Sequence, residues 1–351
     1  MAVRQGFIDW MKAVGMALIV FGHFFGDPFN QFTQPVYPKQ LGVCFFVFAM
    51  GWSLANDRRS TWLVVYNRLF PMYFWGAVIA ILLTIIGLIV SAGPQISNYA
   101  PFVAGVNVLF NQFPANPTTW FIGTYLHILL IWALWLQHRK VTVSMILVCL
   151  IFELTIRGCF IYADRLMTGY MLLPNWGTVL LLGMLFHDKG DSLKPQAALW
   201  LIPLWAVFTI GWAIGFNAIG LQRDFPFKVL HDERTLIEAA FISIAVSAVY
   251  IIQTMFAFVI FRCLNAGVLV RFFARNTIIT FIGHMPLYYA VAPIATLLVE
   301  RGWGKRAIIV VVMYVGLSLL SEALHKLLPI NQWRDALWTR LGRRHVGEVS
   351  P

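Results

Sequence analysis

FIDWMKAVGMALIVFGH, residues 7–23, is an apolar run long enough for a membrane helix that nevertheless carries Asp9, Lys12 and His23. Ionisable side chains are costly in a bilayer, so three of them within one span read as a functional site whose members need partners. On a helix, Lys12 and His23 fall about 20° apart and Asp9 about 40° from His23, so one stripe presents all three. The rise from Lys12 to His23 is about 16 Å, roughly half the apolar thickness of a bilayer.

Similar apolar runs recur along the 351 residues, of which 60% are hydrophobic and 12% charged. That balance excludes an ordinary soluble domain and predicts a polytopic membrane protein. Charged or Pro/Gly-rich breaks delimit about ten spans, near 7–26, 40–56, 62–91, 118–137, 141–161, 174–187, 197–219, 235–261, 277–299 and 306–325. The expected fold is therefore all-α, a bundle of about ten transmembrane helices forming one domain over 1–330, followed by a basic cytoplasmic tail over 331–351. The first span lacks a long basic leader and a small-residue cleavage site, and is expected to be retained.

A net charge of +11 sits in connectors and tail rather than on a basic face, which points to anionic headgroups or a phosphorylated small molecule and away from nucleic acid. Arg58, Arg59, Arg139, Lys140, Lys189, Lys194, Arg262, Arg271 and Arg275 fall on connectors that are cytoplasmic if both termini are. The charge-free, proline-rich segment from Gly93 to Asn116 and the mixed segment from Gly220 to Arg234 then lie outside, with residues 102–110 able to lie flat in the outer interface. Cys44, Cys149, Cys159 and Cys263 have neither metal-ligand nor redox spacing and read as reduced packing residues. Glu153 and Arg157, four apart, are expected to neutralise each other, while His127, Glu238 and Glu322 stand alone in their spans and call for structural partners. There is no internal repeat, P-loop, zinc motif or serine elbow.

The pattern Asp9-x-x-Lys12 followed after ten residues by His23 resembles the opening motif of the integral-membrane acyltransferase 3 family. Further similarities follow in order. Cys44-Phe-Phe-Val-Phe-Ala-Met-Gly51 resembles the aromatic stretch that ends in Ser-Gly, with Met50 in place of serine. Arg68-Leu-Phe-Pro71 resembles an Arg-x-x-Pro step, and Val65 stands where a second arginine is frequent, which leaves Arg58 and Arg59 as substitutes. Thr119-Trp120-Phe121 is similar to a recurrent span start, and His284-Met-Pro286 to a His-x-Pro near the penultimate span.

The resemblance implies an O-acyltransferase of the bacterial inner membrane that moves an acyl group, acetyl foremost, from acyl-CoA to a hydroxyl of a cell-surface or lipid-linked carbohydrate. On chemistry, His23 is the candidate general base, because an imidazole is matched to removing a hydroxyl proton near neutral pH; it could also carry the acyl group covalently. Asp9 would orient Lys12, and Lys12 could meet an anionic donor or snorkel to the surface. Arg68, with Arg58 and Arg59, suits the phosphates of coenzyme A. His284 and Trp120 are the candidate acceptor-side residues, no metal is called for, and membrane lipids are the remaining partners. The alternative is a transporter of a glycan, lipid or acyl group whose buried charges couple movement rather than chemistry.

Overall fold

The computed structural model describes residues 5–24, 38–55, 57–89, 98–189, 202–211, 235–299 and 302–347. Among the described residues there is no strand. Seven helical segments are long and apolar enough to cross a membrane: α1 (Gly6–Phe24), α3 (Thr61–Ile89), α6 (Trp120–Leu134, with flanking turns from Pro117 to His138), α7 (Val143–Tyr162), α11 (Leu236–Arg262), α13 (Thr277–Leu298) and α14 (Trp303–Leu327). Shorter helices α2 (Pro38–Ala55), α9 (Gly177–Lys189) and α10 (Ile202–Gly211) occupy the other three positions where the sequence predicts spans. Small helices α4 (Tyr99–Val103), α5 (Asn107–Phe110), α8 (Leu166–Met171) and α12 (Val268–Arg275), and a last helix α15 (Ile330–Gly347), complete the architecture. Residues 220–234, expected outside, lie beyond the described residues.

These helices form because each satisfies its own backbone polar groups, the condition for crossing hydrocarbon. Apolar side chains occur around the whole circumference, so burial is set by position in the bundle. Of the seven, α6, α11 and α1 are the most buried and α3 the least. The free face of α3 carries exposed Ile81, Leu82, Ile85, Ile86 and Ile89, and that of α7 Leu147, Val148, Ile151 and Phe152. Such surfaces suit lipid.

The short helix α2 sits centrally because glycines let its neighbours approach. A Cβ on Gly15 of α1 would lie 3.0 Å from the Gly42 carbonyl oxygen of α2, and one on Gly51 of α2 would collide with the Leu180 carbonyl of α9. Small residues at such crossings replace the hydrophobic driving force that lipid removes.

A buried polar network locks α7, α9 and α11 together. Arg157 pairs with Glu153 on α7. Its remaining donors reach Asn175 Oδ1 at 2.6 Å, the Ser243 carbonyl at 2.9 Å and Ser247 Oγ at 2.6 Å, while Glu153 accepts from the Thr178 N–H at 3.2 Å. Both charges are thus fully bonded, as burial demands, and neither is left for chemistry. Glu238 closes a capping box with Thr235 at the start of α11, and Glu322 of α14 binds Arg275, Asn276 and Lys326.

One sequence expectation changes. Residues 102–110 do not lie flat as one segment: α4 and α5 are separated by Gly105 at φ +72°, and both Phe102 and Val108 are buried against the bundle. The left-handed turn lets each helix insert a side chain, while Val103, Leu109 and Phe110 stay exposed. Within the stretch expected as a basic cytoplasmic tail, Ile330–Gly347 forms α15, which packs on α3: the Tyr66 hydroxyl donates to the Arg334 carbonyl at 2.8 Å and the Tyr66 ring meets Trp338 at 5.0 Å.

Candidate functional site

Two cavities lie one above the other, both lined by α1, α2, α6 and α13, with α3 and α12 completing the first and α8 the second. Lys12 and His23, on one stripe of α1, mark their positions: Lys12 lines the first cavity and His23 the second. Asp9 is buried one turn before Lys12, outside the lining of either. The stripe is held by α14, whose backbone opens into a π turn over Val312–Gly316 and directs the Tyr314 hydroxyl to the Ala13 carbonyl at 2.8 Å. Such turns place side chains that a regular helix could not.

The first cavity, of about 230 Å³, is cationic. Lys12, Arg68 and Arg275 line it, with Ser53, Tyr125 and an apolar wall that includes Phe46, Phe121 and Phe281. Arg68 Nη2 lies 3.3 Å from Asp57, whereas Arg68 Nε is buried and has no hydrogen-bond partner among the described residues. Arg275 Nε lies 2.8 Å from Glu322. An orphaned guanidinium donor beside two further cations fits an anionic group such as phosphate.

Arg58 and Arg59 do not enter this cavity. Both are exposed, and Arg59 folds back onto Asp57 through Nε at 2.9 Å and Nη2 at 2.7 Å. Burial pushes the Asp57 carboxyl up, but the Arg59 hydrogen bonds and the Arg59 and Arg68 charges outweigh it and leave the group below its ordinary value. Sequence proximity made the adjacent pair attractive; Asp57 claims one of them.

The second cavity, of about 130 Å³, is lined by His23, His284, Lys39, Trp120, Tyr170 and Phe281, among others. The two imidazoles, 261 residues apart in sequence, have centroids 5.2 Å apart. His284 Nδ1 lies 2.6 Å from the Phe281 carbonyl. A carbonyl oxygen only accepts, so Nδ1 carries the proton and Nε2 the lone pair. Nε2 is buried and has no hydrogen-bond partner among the described residues. An oriented imidazole with an open basic nitrogen can accept a proton from a hydroxyl placed against it.

Why α13 holds His284 there follows from Pro286. Proline lacks the N–H that would bond the carbonyl four residues earlier, here that of Ile282. Asn116 Nδ2 at 2.8 Å and Thr118 Oγ1 at 3.0 Å supply the missing donors from the turn that opens α6. The same turn positions Trp120, which is buried with its ring 5.0 Å from Tyr170 and 6.3 Å from Trp176. Trp120 therefore belongs to the cavity wall and not to the membrane surface.

Sequence reading missed Lys39, Tyr170, Arg275, Phe281 and the Asn116–Thr118 clamp. Pro286 was the available signal for the clamp, since it announces an orphaned carbonyl; which residues answer it is a long-range contact. Arg275 read only as a connector charge.

Among curated proteins and solved structures no match was found. A family model described as an acyltransferase domain, that of acyltransferase 3, matches residues 5–322 and so spans every cavity-lining residue named above. The chain belongs to the acyltransferase 3 family and is a multi-pass membrane acyltransferase.

Proposed function

We propose that the protein transfers an acyl group, acetyl foremost, from acyl-CoA to a carbohydrate hydroxyl of a cell-surface or lipid-linked glycan in the bacterial inner membrane, with both termini cytoplasmic. The observation that carries this reading is the stacking of a cationic cavity on a cavity with two imidazoles. Lys12, Arg68 and Arg275 hold the anionic end of the donor, and the thioester supplies an activated acyl group. His23, the base expected from sequence, and His284 flank the position of the acceptor hydroxyl, with Trp120 and Tyr170 as an aromatic wall against which a sugar ring can pack.

The transfer balances without a further reagent. One imidazole takes the hydroxyl proton as the oxygen bonds to the acyl carbon; the carbon–sulfur bond breaks, and the proton returns to the leaving sulfur. Asp9, buried behind Lys12, fixes the charge balance of the stripe and is a positioning residue. A transporter reading accounts for buried charge but not for membership in an acyltransferase family.

Purified full-length protein in lipid nanodiscs, given acetyl-labelled CoA and fractionated cell-envelope glycans, should place label on carbohydrate in a linkage that hydroxylamine cleaves. Absence of both transfer and donor binding overturns the reading.

A further inference from the structure

We propose that Phe281 is the partition between the two cavities and sets the length of acyl group that reaches the histidines. The inference rests on the acyl-CoA reading above. Phe281 lines the cationic cavity and the histidine cavity alike. On one side its ring lies 5.3 Å from Phe121 and 6.4 Å from Phe46, which face the cationic cavity. On the other it lies 5.9 Å from the His284 imidazole. Phe281 is 6% exposed and lines both cavities, so its ring stands between them.

The backbone fixes that ring. The Phe281 carbonyl receives His284 Nδ1, and the next carbonyl, of Ile282, is clamped by Asn116 and Thr118. One short segment of α13 thereby sets both the tautomer of His284 and the width of the passage. A donor held at its phosphate end by Arg68 and Lys12 must bring its acyl carbon past Phe281 to meet a base. Once past, the acyl group shares about 130 Å³ with the acceptor hydroxyl. A two-carbon acyl group takes up little of that space, whereas a six-carbon one competes with the acceptor for it.

The test uses unreactive thioethers, S-ethyl-CoA and S-hexyl-CoA, whose binding to the full-length protein in nanodiscs is read by displacement of labelled CoA. Acyl transfer from acetyl-CoA and hexanoyl-CoA is measured beside it. The wild-type protein should bind S-ethyl-CoA at least tenfold more tightly than S-hexyl-CoA, and transfer should show the same preference. Phe281→Ala should bring the binding ratio to within about threefold of unity and raise relative hexanoyl transfer. Phe281→Leu, which keeps an apolar side chain, should move both ratios the same way and serves if the alanine variant does not fold. A merely structural phenylalanine would alter stability without moving the ratio. Equal binding of the two thioethers by wild type, or unchanged ratios in the folded variants, overturns the partition while leaving the acyltransferase reading intact. A wild-type protein that binds neither CoA nor either thioether overturns that reading and the partition with it.

Discussion

His23 and His284 approach each other from opposite ends of the chain, and the division of work between them is testable one imidazole at a time. If His23 is the base, His23→Ala should lower acyl transfer by about 10²-fold or more in a protein that still inserts and binds CoA, since general-base groups contribute that much. Turnover within a few-fold of wild type would pass the role to His284, whose Nε2 is already oriented for it. The cationic side separates in the same way. Arg68→Ala should raise the donor KM by about tenfold with a smaller change in kcat, the loss of one charge-assisted contact made in ground and transition states alike. Arg58→Ala should leave both constants unchanged, because Arg58 is exposed and lines neither cavity. Steady-state kinetics over donor concentration decide both.

Element by element, the site depends on how α13 is held at its proline. Asn116→Ala should cost about 1–3 kcal/mol, because it leaves the buried Ile282 carbonyl with Thr118 alone and removes the side-chain oxygen that accepts from Thr118. In a Pro286→Ala background the Ile282 carbonyl regains an intrahelical donor, so the same substitution should cost less; thermal unfolding of the four purified proteins gives the cycle, and additive costs would deny the link. The connector before α3 supplies a pH effect. Asp57 has a depressed folded-state pKa, so its contribution to stability is present at neutral pH and is lost as pH falls through the carboxylate range. The Asp57→Asn variant should therefore lose less unfolding temperature than wild type between pH 7 and pH 4, by a small margin because Arg59 is half exposed. These examples show what sequence could carry. The α1 stripe and the Glu153–Arg157 pair were legible because helical periodicity fixes neighbours three, four or eleven residues apart. The Asn116–Ile282 bond joins residues 166 apart, and no local period encodes it. The Arg59–Asp57 pairing was not legible for the opposite reason: the partners, two residues apart, lie in an irregular turn where no helical period applies.

At the scale of the molecule, the two cavities have meaning only if the cationic one opens to the side that holds coenzyme A. Helix α3 links the ends: at 1.5 Å per residue its 29 residues extend about 43 Å, more than the apolar thickness of a bilayer. Arg59 precedes it, while the α4–α5 region that follows folds back along it, with the Phe102 ring 5.4 Å from that of Tyr73. In the proposed orientation Arg59 is cytoplasmic and Gln112 lies on the outer side. Asn98, on the far side of α3, is buried with its amide bonded to the Phe113 carbonyl, so a cysteine there would report packing rather than sidedness; Gln112, exposed after α5, is the better site. In a background lacking Cys44, Cys149, Cys159 and Cys263, Gln112→Cys should react with an impermeant maleimide in cells whose outer membrane alone is permeabilised. Arg59→Cys should react only once the inner membrane is opened. The reverse pattern would turn Lys12, Arg68 and Arg275 toward a compartment without coenzyme A, and the transfer from inside to outside through the Phe281 passage would have no donor.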